Sequence, residues 1–242
     1  MCKVIAIANQ KGRVAKTTTT LNLGIGLARE GKRVLLIDAD SQGSLTECLG
    51  IKEPDQLDNT LADILIRTLN EDGINKEDFI RTYEKGVDFI PANIELSGVE
   101  VSLINVMSRE VILREFLKDI KENYDMILID CMSSLGVITI NALACADTVL
   151  IPVRASYLPV KGLQQLIKTI TRVKRQINPR LEFEGILLTM VDFRTNYVKD
   201  ITEAVRDKYG SQIRLFRSYI PMSVRTDETS KAYEELTKEI IN

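Results

Sequence analysis

Histidine is absent from this chain of 242 residues. That excludes imidazole general acid/base chemistry and deprives a zinc site of its usual nitrogen ligand. Cysteine is sparse, at positions 2, 48, 131 and 145, and no two form a Cys-x-x-Cys pair. A chain this long needs no disulfide staples, so reduced thiols and a cytoplasmic setting are the default expectation. Apolar runs long enough to cross a bilayer are lacking, and the first residues do not read as a signal peptide. An excess of positive charge is lacking too. With 32 Lys and Arg against 34 Asp and Glu, the net charge of −2 gives no global field that would attract nucleic acid. Any catalysis must come from carboxylates, lysines, backbone amides or a metal held by oxygen.

What is present is ordinary globular composition, 45% apolar and 27% charged. The length suits one domain spanning 1–242. Charge is unevenly spread: residues 151–242 hold 16 Lys and Arg against 11 Asp and Glu, on an otherwise acidic body. Such a bias suits a polyanion-facing surface and equally suits uneven solvated faces.

Short β-branched runs alternate with helical periodicity. Buried strands are expected at Lys3–Ala8, Arg33–Ile37, Val87–Pro91, Asp125–Asp130, Thr148–Val153 and Gly185–Met190, with a short edge strand at Ile213–Phe216. Helices are expected over Thr17–Glu30, Leu61–Leu69, a long stretch from about Leu96 to Glu122 broken near Ser108, then 135–146, Val160–Ile177, Tyr197–Tyr209 and Asp227–Ile241. Residues 41–60 read as polar and turn-rich. The alternation, without linker or repeat, predicts an α/β fold: a single doubly wound, mostly parallel sheet flanked by helices. Ligands of such sheets bind at the carboxyl ends of the strands. Three candidates fall there: the loop after Ala8, the pair Asp38 and Asp40, and Asp130.

The loop runs Asn9-Gln10-Lys11-Gly12-Arg13-Val14-Ala15-Lys16-Thr17-Thr18 between a strand and a helix. A phosphate loop aims backbone N–H groups at the anion, neutralises it with a lysine and holds Mg²⁺ with a hydroxyl. Lys16 and Thr17 supply the last two parts. The ordinary G-x-x-x-x-G-K-[ST] pattern fails, because Gln10 and Ala15 occupy its glycine positions. On these residues alone, lysines at a helix start are also what a plain surface loop carries.

The stretch resembles the variant phosphate loop of the ParA/MinD family of ATPases, Asn-Gln-Lys-Gly-Gly-Val-Gly-Lys-Thr-Thr, which has an extra lysine at its start. The resemblance continues in order through Val34–Gly43, Tyr124–Cys131, Ile140–Leu143, Val149–Val153, Gly185–Met190 and Val224-Arg225, covering essentially the whole chain. It looks most like the small ParA/Soj type, with no N-terminal helix-turn-helix domain expected. The resemblance implies a P-loop NTPase-like fold that uses ATP and Mg²⁺. It implies a partition ATPase for plasmid, chromosome or mobile-element DNA, a homodimer with ATP that binds DNA non-specifically and answers to a ParB-like centromere-binding protein. By position, residues 11–18 would bind phosphate, with Lys16 on the outer phosphates and Lys11 reaching the nucleotide of a second copy. Thr17, Asp40 and Asp130 would serve Mg²⁺, and Asp40 would also position the attacking water. Asp38 would shape the site, and Met190 and Pro221 would border the base. Arg194, Arg225 and Lys231 would face DNA, with Lys199 and Arg217 added on charge alone. The related membrane-binding branch uses a basic amphipathic tail; the tail from Lys231 to Asn242 is acidic, so no membrane partner is expected. Nitrogenase-type iron proteins share the loop but need cluster cysteines, and Cys131 and Cys145 have no supporting pattern.

Several residues depart from that pattern. Arg13 and Ala15 occupy glycine positions, Ser41 replaces a proline, Met132-Ser133-Ser134 replaces a proline-rich turn, and Arg154 and Ser156 replace the usual Gln and Glu. If Ala15 must adopt a positive φ, strain of roughly 1–2 kcal/mol follows. Two readings stay open: a nucleotide switch with slow hydrolysis, or a nucleotide-impaired protein that binds DNA or a partner as a scaffold.

Overall fold

A computed structural model describes residues 2–155, 160–192, 197–222 and 226–241. Among them, β1 (Lys3–Ile7) leads through the loop into α1 (Lys16–Arg29), and β2 (Val34–Ala39) follows. Next come α2 (Ser44–Cys48), α3 (Leu61–Leu69), β3 (Arg81–Glu84), β4 (Val87–Ile90), α4 (Glu95–Ser102), α5 (Ile112–Lys118) and β5 (Met126–Cys131). The second half is α6 (Val137–Cys145), β6 (Thr148–Arg154), α7 (Val160–Gln176), β7 (Glu182–Val191), α8 (Tyr197–Tyr209), β8 (Leu215–Pro221) and α9 (Thr226–Ile241).

The eight strands form one sheet in the order β3-β4-β2-β5-β1-β6-β7-β8, parallel throughout except for the β3–β4 pair. The expected doubly wound α/β sheet is therefore present. Its central strands are buried on both faces, which is why they read as unbroken Val/Ile/Leu runs rather than alternating ones. Successive side chains still separate by face. Val4, Leu35, Ile37, Ile127 and Ile129 pack on one side with α3, α5 and α6, whereas Ile5, Ile7, Leu36 and Leu128 pack on the other with α1 and α9. Helix α1 lies close to its neighbours because it carries Gly24 and Gly26. A Cβ at Gly24 would fall 2.6 Å from Leu36 Cδ2, and one at Gly26 2.3 Å from Thr237 Oγ1.

Four expectations need correction. The stretch 96–122 is not a long helix with one break: α4 ends in a 3₁₀ turn at Leu103–Asn105, Ser108 takes φ 56°, and α5 starts only at Ile112. The turn-rich 41–60 contains α2, started by Gly43 at φ 62°. β3 escaped notice because its residues Arg81-Thr82-Tyr83-Glu84 are largely exposed and polar; it folds back on β4 through Gly86, whose φ of 88° suits only glycine. The last strand covers Leu215–Pro221 rather than Ile213–Phe216. As an edge strand it tolerates Arg217 and Tyr219 facing outward, which hides it from a search for apolar runs.

Candidate functional site

The carboxyl ends of β1, β2 and β5 meet at the loop 9–15. Asn9 fixes its start: the buried side-chain amide donates to the Pro152 carbonyl at 2.6 Å, and its oxygen accepts the Lys11 N–H at 3.0 Å. Val14 fixes its end, being buried, with its carbonyl accepting from Thr189 Oγ1 of β7 at 3.1 Å. Between these anchors Lys11, Gly12 and Arg13 are exposed. Arg13 and Ala15 adopt φ of 58° and 64°, both in the left-handed region. The loop thus has a backbone shape that glycine accepts freely, held by two residues that pay about 1–2 kcal/mol each for it. Ala15 immediately precedes α1, and its carbonyl accepts the Thr19 N–H at 2.9 Å, so the helix N-terminus opens on the loop.

Lys16, the first residue of α1, has only 7% of its surface exposed. Its ammonium donates to Ser133 Oγ at 2.7 Å and to the Lys11 carbonyl at 3.3 Å. Burial lowers its pKa, opposed by the nearby Asp130, Cys131 and Asp40. Thr17 Oγ1 donates to Asp130 Oδ2 at 2.6 Å, and the other Asp130 oxygen is buried without a partner among the described residues. Burial, reinforced by Asp38, pushes the Asp130 carboxyl well above the usual range, while Thr17 and Lys16 pull it down. Asp38 is wholly buried and its carboxyl is pushed up to about 6 by desolvation, against hydrogen bonds from the Thr46 N–H and hydroxyl and the Asp40 N–H. Asp40 is half-buried, accepts the Gln42 N–H at 3.1 Å and lines the cleft.

These groups border a cleft of about 860 Å³ that also reaches Met190, Pro221, Cys48 and Tyr233. The structure therefore brings Arg13, Ala15, Lys16, Thr17, Thr18, Asp40, Met190 and Pro221 to one opening. Asp38 and Asp130 lie beneath it, and Asp38 supports the turn to α2 through Thr46. Lys231 is exposed on α9, well along the chain from the loop, and Arg217 is exposed on β8. Arg194 and Arg225 lie outside the described residues, as does the side chain of Lys199. A second cleft of about 810 Å³ between β8 and α9 is lined by Arg214, Arg217, Lys238, Glu235 and Glu239. Its charges largely answer one another, with Arg214 on Glu239 at 2.8 Å.

Among the described residues no group of three or more Cys, Asp or Glu could by itself cage a metal ion. The donors at the cleft nevertheless fit Mg²⁺. That ion takes few protein ligands and keeps water, and Thr17 with a partnerless Asp130 oxygen beneath it offers a hydroxyl and an outer carboxylate. Sequence reasoning missed Ser133, Cys48 and Tyr233. Only the path of the chain brings them to the loop, although the altered turn Met132-Ser133-Ser134 marked the right neighbourhood. No helix of the described residues is long and apolar enough to cross a membrane.

The model of a family described as an AAA domain matches residues 2–183. Sporulation initiation inhibitor protein Soj of Bacillus subtilis is 45% identical over 229 residues, which span 94% of this chain and 87% of that protein. Chromosome partitioning protein ParA of Caulobacter vibrioides is 40% identical over 258 residues, spanning 99% and 94%. Among solved structures, a cobyrinic acid a,c-diamide synthase of Mycobacterium smegmatis with bound ADP and magnesium superposes with a TM-score of 0.92 at 36% identity, covering 100% of this chain and 94% of that one. A plasmid partition protein of Borrelia burgdorferi superposes with a TM-score of 0.81 at 26% identity, covering 99% and 97%.

Proposed function

The chain belongs to the ParA/MinD family of P-loop ATPases, and from that premise we propose that it is a ParA/Soj-type partition protein, an ATP- and Mg²⁺-dependent switch. The observation that carries this reading is the Lys16 ammonium, desolvated and held at the mouth of a loop anchored at both ends. A buried ammonium is costly unless a partner anion comes to it, and the outer phosphates of a nucleotide are such a partner.

In this reading the backbone of residues 11–18 and the α1 N-terminus receive the phosphate chain, and Lys16 donates to its outer oxygens. Thr17 and, as an outer carboxylate, Asp130 would hold Mg²⁺, which would supply charge neutralisation to the phosphate chain. Asp40, at the carboxyl end of β2, orients the water that attacks the terminal phosphate. No strong base is required, because positioning and electrostatics carry phosphoryl transfer. Met190 and Pro221 border the base. Lys11 reaches the nucleotide of a second copy in an ATP-bound homodimer. The dimer binds DNA without sequence preference through Arg194, Arg225 and Lys231, and a ParB-like centromere-binding protein stimulates its hydrolysis. It acts in the cytoplasm on nucleoid DNA as one domain over residues 1–242.

Arg13 and Ala15 favour a slow version of this cycle. Both side chains leave the backbone at left-handed positions, where a Cβ crowds the approach of a phosphate to the loop. In the extreme case the chain binds DNA or its partner without cycling. The deciding experiment is titration of ATP with Mg²⁺ against the wild type and Lys16→Ala. Saturable binding that disappears in Lys16→Ala is expected. Equal binding by both, or none by the wild type, would overturn the reading.

A further inference from the structure

We propose that Ser133 is a phosphate-contacting and Lys16-positioning residue of this site. The inference rests on the nucleotide reading above and deepens it. Ser133 lies just past β5, in the turn where the chain departs from its family's proline-rich sequence. Proline offers no hydrogen-bonding side chain; serine offers a hydroxyl that both accepts and donates. Here the oxygen accepts from Lys16 Nζ at 2.7 Å, the shorter of that ammonium's two hydrogen bonds. Among the described residues nothing accepts the Ser133 hydrogen.

The geometry follows from these bonds. Two of the three Lys16 N–H groups are committed, to Ser133 and to the Lys11 carbonyl, which hold the ammonium toward the loop. The third N–H and the free Ser133 hydrogen are then two donors on adjacent heavy atoms at the rim of the same 860 Å³ cleft. A phosphate oxygen placed against Lys16 receives a charge-assisted bond from the ammonium and a second from the hydroxyl. Ser133 lies close to the loop as well: a Cβ at Gly12 would be 3.7 Å from its Oγ. The hydroxyl therefore adds a donor beside a loop whose glycines at 13 and 15 are replaced.

The test compares ATP affinity, with Mg²⁺, of the wild type, Ser133→Ala and Ser133→Thr by calorimetry, together with melting of each without nucleotide. Ser133→Ala should weaken ATP binding about tenfold, the usual scale for a bond to a charged group. Ser133→Thr, which keeps the hydroxyl, should restore most of that loss. Because Ser133 is exposed, Ser133→Ala should lower the melting temperature without nucleotide only slightly, by the loss of one acceptor for Lys16, and Ser133→Thr should restore it. Unchanged or tighter ATP binding by Ser133→Ala overturns the assignment while leaving the nucleotide reading intact. No binding by the wild type sinks the nucleotide reading and this inference with it.

Discussion

Thr17 Oγ1 hands its hydrogen to Asp130 Oδ2 across 2.6 Å, tying the first turn of α1 to the end of β5. That bond partners a fully buried carboxylate whose other oxygen has no partner among the described residues. It couples the stability of the apo fold to the hydroxyl proposed to serve the metal. Thr17→Ala should therefore cost about 1–3 kcal/mol of unfolding free energy, the usual penalty for stranding a buried polar group. Thr17→Ser should recover most of it. Denaturant melts read the first effect, and phosphate release with ATP and Mg²⁺ reads the second. Release should fall in Thr17→Ala well beyond what its stability loss explains. A Thr17→Ala protein as stable as the wild type would contradict the importance given to this bond.

Asp38 gives a pH signature. Its carboxyl is pushed up to about 6 in the folded chain from an ordinary value of 3.8. Between pH 4 and 6 the folded state therefore binds more protons than the unfolded state, and stability falls as pH rises through that window. The full difference from this group is on the order of 3 kcal/mol. Asp38→Asn should remove its share of the decline, leaving the part due to Asp130, which moves in the same direction. The readout is the slope of stability with pH, not its level, because the Asn amide also faces the Asp40 N–H. Parallel slopes for the two proteins between pH 4 and 6 would refute the assignment.

The core of the site was legible in sequence for a physical reason. Buried parallel strands must be continuous apolar runs, so their ends, and the residues just past them, can be counted. Asp38, Asp40 and Asp130 follow from the strand ends, Lys16 and Thr17 from the lysine-hydroxyl pair of a phosphate loop, and the structure gathers all five at or beneath one cleft. Ser133 was not found as a partner of Lys16, because 117 residues separate the two and no periodicity links them. The left-handed angles of Arg13 and Ala15 show in the sequence only indirectly, as side chains at positions where the family has glycine; the backbone geometry itself is held by the anchors at Asn9 and Val14. Short elements fared worst. Helix α2 and strand β3 span 5 and 4 residues, too few for a pattern to declare itself.

Helix α9 packs on α1, and Gly26 of α1 faces Thr237 of α9 across that contact. In an isolated helix Gly→Ala gains about 1 kcal/mol. Here the new Cβ would come within 2.3 Å of Thr237 Oγ1, a hydroxyl already bonded to the Tyr233 carbonyl at 2.7 Å. Overpacking of this kind costs about 1–3 kcal/mol. Gly26→Ala should therefore be net destabilising, and Gly26→Ala combined with Thr237→Ala should recover part of the loss. A stabilising single substitution, measured by thermal melting, would show that the two helices are farther apart in solution.

Lys231 offers a separate test of the DNA proposal. It is exposed on α9, so its loss should leave the fold unchanged. If it contacts phosphate, Lys231→Ala should lower the slope of log affinity against log salt by about 0.9 on duplex DNA, uniformly across sequences. An unchanged slope removes Lys231 from the contact surface.

The two readings of the loop diverge most sharply at Arg13 and Ala15. At φ of 58° and 64° each residue strains the folded backbone by about 1–2 kcal/mol. Glycine removes that strain but frees the unfolded chain, at a cost of about 0.4–1 kcal/mol per site. The Arg13→Gly, Ala15→Gly protein should thus be slightly more stable than the wild type, by about 1 kcal/mol in total. Its effect on nucleotide should be larger, since removing two side chains from the loop lets a phosphate approach the backbone N–H groups directly. ATP affinity and phosphate release, measured with DNA present, should both rise at least tenfold if the natural side chains slow the cycle. Equal affinity and equal release in the two proteins would mean instead that Arg13 serves as a phosphate ligand in its own right, its guanidinium replacing the donors that a glycine-lined loop exposes.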